Sequence, residues 1–208
     1  MTDANSDGTG AGARAADLRP CDRWVRQGQP GVGQNAGMAN RRLPPGVVPL
    51  PAGSGQTSVW DFPRPPIVVS DDRTVVVRFA DVEICRTNRA LKVLETSHPP
   101  TWYLPVDSFC AGSLSPGRGS SVCEYKGPAS YFDVNTGDRR VESAAWGYLQ
   151  PWTGYEQLRG HVALYAASMD LVTVDGEAVR PQPGGFYGGW ITDDVVGPFK
   201  GIAGSFGW

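Results

Sequence analysis

Residues 74–87 read TVVVRFADVEICRT. In the first half, Val75, Val77 and Phe79 recur at every second position, and Thr74, Val76 and Arg78 fall between them. A period of two places alternate side chains on opposite faces of a strand. Ala80-Asp81 can reverse the chain, and the second half alternates again, with Val82 and Ile84 opposite Glu83 and Cys85. The stretch therefore predicts a β-hairpin.

The same period extends on either side. Residues 67–69 predict a short strand before the turn pair Asp71-Asp72. Residues 86–94 fit a helical turn or a strand, and their shortness favours extended chain. Residues 101–104 read as a strand from their β-branched and aromatic residues Thr101, Trp102 and Tyr103, with Pro105 as a stop or a sheet edge. Residues 111–120, AGSLSPGRGS, read as a flexible loop. Residues 131–134 and 141–148 predict two strands joined by the NTGDR turn at 135–139. A short helix is expected at 154–159. At 161–165 Val162 and Leu164 alternate against His161, Ala163 and Tyr165, and Asp175-Gly176 is a two-residue hairpin turn.

The ends of the chain differ from this middle. Residues 1–56 hold ten Gly and six Pro with few, aperiodic apolar residues. Such a stretch buries too little surface to offset its ordering entropy, so a flexible, mildly basic arm is expected. At 58–66, SVWDFPRPP opens the ordered domain, which is assigned to 57–208. Its prolines suit an extended strap, with Trp60 and Phe62 as apolar anchors. Residues 181–208 alternate glycines with Phe186, Tyr187, Trp190, Phe199, Phe206 and Trp208. A docked, irregular wrap is expected there, and an arm reaching a second copy in a homo-oligomer is the alternative.

Composition narrows the function classes. A chain of 208 residues with net charge -2 gives no global signal for nucleic acid or for an acidic membrane. No apolar run reaches transmembrane length, and the first ten residues lack the pattern of a signal peptide, so a cytoplasmic protein is expected. Cys21, Cys85, Cys110 and Cys123 stand far apart with no CxxC pair. No zinc site, other metal or cofactor is predicted. The sequence contains no GxSxG, GxGxxG, Walker or HExxH motif.

Two segments carry candidate chemistry. Residues 94–105 read LETSHPPTWYLP. Pro99-Pro100 stiffens the chain and drives His98 out of the helical region, placing Glu95 and His98 on a rigid turn. A carboxylate can orient an imidazole that titrates near neutrality, which makes an acid–base pair. Residues 123–131 read CEYKGPASY. An ammonium at Lys126 near the Cys123 thiol would favour the thiolate nucleophile, or would hold an anion or pair with Glu95. The aromatics Trp102, Tyr103, Tyr125, Tyr131, Trp146, Tyr148 and Tyr165 could line a cage for a flat or cationic small molecule. Each feature also has a plainer reading: solvated turn residues for Glu95, His98 and Lys126, a small buried hydrophobe for Cys123, and core packing for the rings.

The segments LETSHPPTWYLP, CEYKGPASYFDV, ESAAWGYLQP and GHVALY, in this order, resemble the domain-of-unknown-function family 427, also catalogued under a nucleotidyltransferase-like label. The resemblance covers roughly residues 57–208, including SVWDFPRPP and the closing GGWITDDVVGPFKG. It implies a mainly β fold, a small antiparallel domain of Mss4-like or β-tent-like type. Glu95, His98, Tyr103, Cys123, Lys126, Gly127, Tyr131, Trp146, Tyr148 and Tyr165 match the family's motif positions. Glu124 stands where the family often has proline. The two cysteine knuckles of zinc-bearing relatives of this fold are missing, as are the paired metal carboxylates and the phosphate-cradling loop that a nucleotidyltransferase would need. Two classes stay open: a small-molecule enzyme using acid–base or thiol chemistry, and a non-catalytic binding module with an aromatic cage.

Overall fold

The computed structural model describes residues 43–208. Residues 1–42 of the expected arm lie outside the described residues. Residues 43–56 carry no strand or helix, yet Val47 is buried and Leu50 N–H donates to the Gly197 carbonyl at 2.8 Å.

The protein is mainly β. In chain order the strands are β1 (Thr57–Ser58), β2 (Ile67–Asp71), β3 (Val75–Phe79), β4 (Val82–Thr87), β5 (Ala90–Leu94), β6 (Thr101–Pro105), β7 (Leu114–Cys123) and β8 (Gly127–Thr136). They continue with β9 (Arg139–Gly147), β10 (His161–Leu164), β11 (Leu171–Val174), β12 (Glu177–Ala178), β13 (Arg180–Pro181), β14 (Trp190–Ile191) and β15 (Val195–Val196). A seven-stranded antiparallel sheet has the order β2-β5-β6-β10-β9-β8-β7. A four-stranded antiparallel sheet has the order β12-β11-β3-β4.

The hairpin of residues 74–87 forms β3 and β4. Its tip, Ala80-Asp81, has φ of 50° and 61°, the left-handed pair that matches the twist of the flanking strands. Val75, Val77 and Phe79 are fully buried. The second half departs from strict alternation, since Ile84 and Cys85 are both buried. A bulge between Val77 and Arg78 shifts the register, so the extra residue in β4 also turns inward. These side chains meet Trp102 and Leu104 of β6, and Val162 and Leu164 of β10, in one core between the two sheets.

Two local expectations are corrected. Residues 111–120 are not a flexible loop, because β7 starts at Leu114 and pairs with β8 as far as Cys123 opposite Gly127. It is an edge strand, where proline and glycine are tolerated, and an irregularity between Pro116 and Ser120 absorbs its glycines. The helix expected at 154–159 is one 3-10 turn, Glu156–Leu158.

The strap and the wrap close the molecule. Trp60, Phe62, Ile191 and Val195 form a third apolar cluster with Val47 and Val59, and β1 pairs in parallel with β15. Trp190 is fully buried, stacks on Trp102 at 5.8 Å, and donates from its indole N–H to the Leu164 carbonyl at 3.1 Å.

Candidate functional site

The outer face of the seven-stranded sheet carries Leu91 and Val93 of β5, Tyr103 of β6, Ala129 of β8, Trp146 of β9 and Ala163 of β10. Tyr148, Tyr155 and Leu158 pack on part of this face. The rest forms the floor of a cleft of about 480 Å³. The residues after β5 enter it as the turn Glu95 to Pro100. That turn is held from both sides. Thr96 N–H donates to the Pro63 carbonyl and Ser97 N–H to the Val59 carbonyl, in the strap. The Ser97 carbonyl accepts from Lys200 N–H, and the Pro100 carbonyl from Trp190 N–H, both in the wrap. Ser97 sits at φ 71°, a left-handed geometry these bonds hold in place.

Glu95, His98, Cys123 and Lys126 all line this cleft, together with Tyr103, Tyr125, Tyr131, Trp146, Tyr148 and Tyr165. Glu95 Oε1 accepts from Arg64 at 3.0 Å, and its Oε2 lies 3.9 Å from Lys126 Nζ. The Lys126 side chain is only 8 % exposed. His98 is buried, with Nδ1 3.0 Å from the Thr96 carbonyl and the Tyr187 ring edge-on at 4.7 Å. Burial draws the imidazole below its ordinary pKa, and the Glu95 charge opposes the shift without cancelling it. Tyr103 and Tyr148 hold their phenol protons far above the usual range, chiefly because they are desolvated. The neighbouring Tyr103 phenol and the Cys123 thiol push Tyr148 further in the same direction.

Trp102 is the exception. The sequence places it among the cage residues, but it points into the core between the sheets, under Arg73 and Lys92. The reason is parity: Tyr103 faces the cleft, so its neighbour on the same strand must face the other way. Trp146 and Tyr148, two apart, share the cleft side, as do Ala163 and Tyr165 in the alternation of β10 and its continuation.

Several lining residues are outside the candidate set read from the sequence: Arg64 from the strap, and Gln182, Tyr187 and Lys200 from the wrap. Lys200 donates to the Trp208 carbonyl, and burial followed by the nearby Arg64 guanidinium lowers its pKa. Only the packing of both terminal segments over the sheet brings these groups in. The paired glycines of the wrap hint at this contact. A Cβ on Gly188 would lie 2.1 Å from the Trp146 ring, and one on Gly189 would lie 2.6 Å from the Pro99 carbonyl oxygen.

Among the described residues no group of three or more His, Cys, Asp or Glu side chains is arranged to hold a metal ion, and no helix is long and apolar enough to cross a membrane. Residues 67–175 match the model of a family described as a domain of unknown function, DUF427. No curated protein matches the chain.

Proposed function

We propose, from the premise that this chain belongs to the DUF427 family, that it is a small-molecule enzyme working by acid–base chemistry in the cleft beside β6. One observation carries the reading. The His98 ring is desolvated, and its Nδ1 faces a backbone carbonyl. In the neutral ring Nδ1–H donates to the Thr96 carbonyl, which leaves the lone pair on Nε2. That is the form of a general base at neutral pH. Arg64, Lys126 and Lys200 supply positive potential to the same cleft, suited to the negative charge that proton abstraction leaves on a substrate. Glu95 joins Arg64 to Lys126 and positions both. Cys123, beside Tyr148, offers a thiol for a covalent variant of the same chemistry.

Two coarser readings go with this one. The two packed antiparallel sheets fit a β-tent or Mss4-like architecture. The Cys123 thiol lining the cleft fits a reducing, cytoplasmic setting.

The test is incubation with metabolite mixtures in deuterated water, read by mass spectrometry beside thermal-shift measurements. We expect a compound that both raises the melting temperature and acquires deuterium or changes mass. His98→Gln should abolish that change while the compound still binds, and Cys123→Ser should retain it. A compound that stabilises the protein and returns unchanged and unlabelled would make the chain a binding module with an aromatic cage instead.

A further inference from the structure

We infer that the ligand of this cleft carries an oxyanion, a carboxylate or a phosphate, that hydrogen-bonds to Lys126, and an unsaturated ring that packs on Trp146 and Tyr165. The inference rests on the reading of the cleft as a small-molecule site and names the chemistry of what binds there.

The charges of the cleft do not balance. Arg64, Lys126 and Lys200 line it against Glu95 and Glu124, three cations to two carboxylates, an excess of +1 with His98 neutral. The lowered pKa of Lys200 comes first from burial and then from the Arg64 guanidinium beside it, against the raising effect of Glu95 and Glu124.

Lys126 is where the excess is open to a ligand. Glu95 is already bonded to Arg64 at 3.0 Å, and Lys200 Nζ already donates to the Trp208 carbonyl. Lys126 Nζ has its nearest carboxylate oxygen at 3.9 Å, beyond hydrogen-bond reach, and among the described residues no other acceptor meets it. Its side chain is 8 % exposed. The Nζ atom itself keeps contact with the open space of the cleft, so its three N–H donors are within a ligand's reach. A carboxylate or phosphate oxygen supplies an acceptor and the missing negative charge together.

The wall beside it suits a ring. Tyr131 and Trp146 are direct cross-strand partners, and the Trp146 and Tyr165 rings lie 4.7 Å apart. All three are half-buried, so part of each ring still faces open space. A volume of about 480 Å³ suits a metabolite with one ring and a short anionic arm.

The probes are benzoate, phenyl phosphate, inorganic phosphate and the neutral benzamide, titrated at millimolar concentration and followed by tryptophan fluorescence and amide chemical shifts. Benzoate or phenyl phosphate should bind at least about tenfold more tightly than benzamide. Whichever binds better identifies the oxyanion, and inorganic phosphate shows how much the ring adds. Lys126→Met should erase the preference and Lys126→Arg should keep it, with circular dichroism confirming the fold of each. Equal binding of benzamide, or no response to any probe, overturns the inference on the wild-type protein alone, whether or not the Met variant folds. A folded Met variant with undiminished affinity for the charged probe also overturns it. Binding without turnover leaves the inference standing and removes only the enzymatic reading. Turnover of a neutral substrate does the reverse.

Discussion

At the scale of single residues, His98 and the Glu95–Lys126 pair are the groups whose behaviour can be measured directly. His98 has a folded pKa below the ordinary value of 6.5 because its ring is desolvated. The unfolded chain therefore binds more protons than the folded one once the pH falls below that value. The stability His98 contributes is complete above pH 6.5 and is lost as the pH drops toward its folded pKa. Asp71, Asp133 and Asp170 are lowered from 3.8, so their losses come at more acid pH. Melting temperature should thus decline between neutrality and mildly acid pH, and His98→Gln should flatten that decline. An unchanged slope in the variant would assign it to another group. For the pair, Glu95→Gln should cost more stability than Lys126→Met. The first leaves a nearly buried ammonium beside Arg64 with no carboxylate, a penalty of roughly 1–3 kcal/mol. The second leaves Glu95 still bonded to Arg64. Urea titration of both variants gives the order.

At the scale of elements, each strand's alternation chooses its core side, and the departures have local causes. Phe79 stands at the end of β3, fully buried in the core between the sheets. Phe79→Ala should cost about 3–5 kcal/mol, the usual range for emptying such a site. The wrap passes over the sheet at Gly188, where any side chain would collide with Trp146. Gly188→Ala should shift the wrap off the cleft, seen as a changed Trp146 emission with the β-sheet circular dichroism retained. An unperturbed Trp146 signal would show that the ring can step aside. The alternation of β3 and β10 was legible in the sequence because a period of two depends on nothing beyond the strand. β7 was not, since its Gly, Ser and Pro residues have poor strand propensity and its ladder pairs only with β8.

At the scale of the whole molecule, the cleft is a product of closure. The sheet supplies its floor, the strap brings Arg64, and the wrap brings Tyr187 and Lys200. Trp190 is the rivet: it is buried against Trp102, bonded to Leu164, and its N–H meets the Pro100 carbonyl beside the His98 turn. Trp190→Ala should cost about 3–5 kcal/mol of stability. It should also loosen the Glu95 to Pro100 turn, so that the remaining folded protein binds anionic probes more weakly. Loss of stability with probe affinity intact would mean that the turn is held by the strap alone.

The sequence by itself determined most of the strands, the faces of β3 and β10, and the sharp turns at Ala80-Asp81 and Asp175-Gly176, because these follow from local sterics and a two-residue period. It also marked Glu95, His98, Cys123 and Lys126 as chemically able groups, and the stiffness of Pro99-Pro100 placed the first two on one turn. Tertiary structure alone decided which sheet face became the cleft, that Trp102 belongs to the other face, and that Arg64 and Lys200 join the charged cluster. These depend on contacts between segments more than a hundred residues apart, such as Trp60 with Pro198. No local pattern encodes the partner of such a contact. It is set by which surfaces remain to be buried once the two sheets have packed.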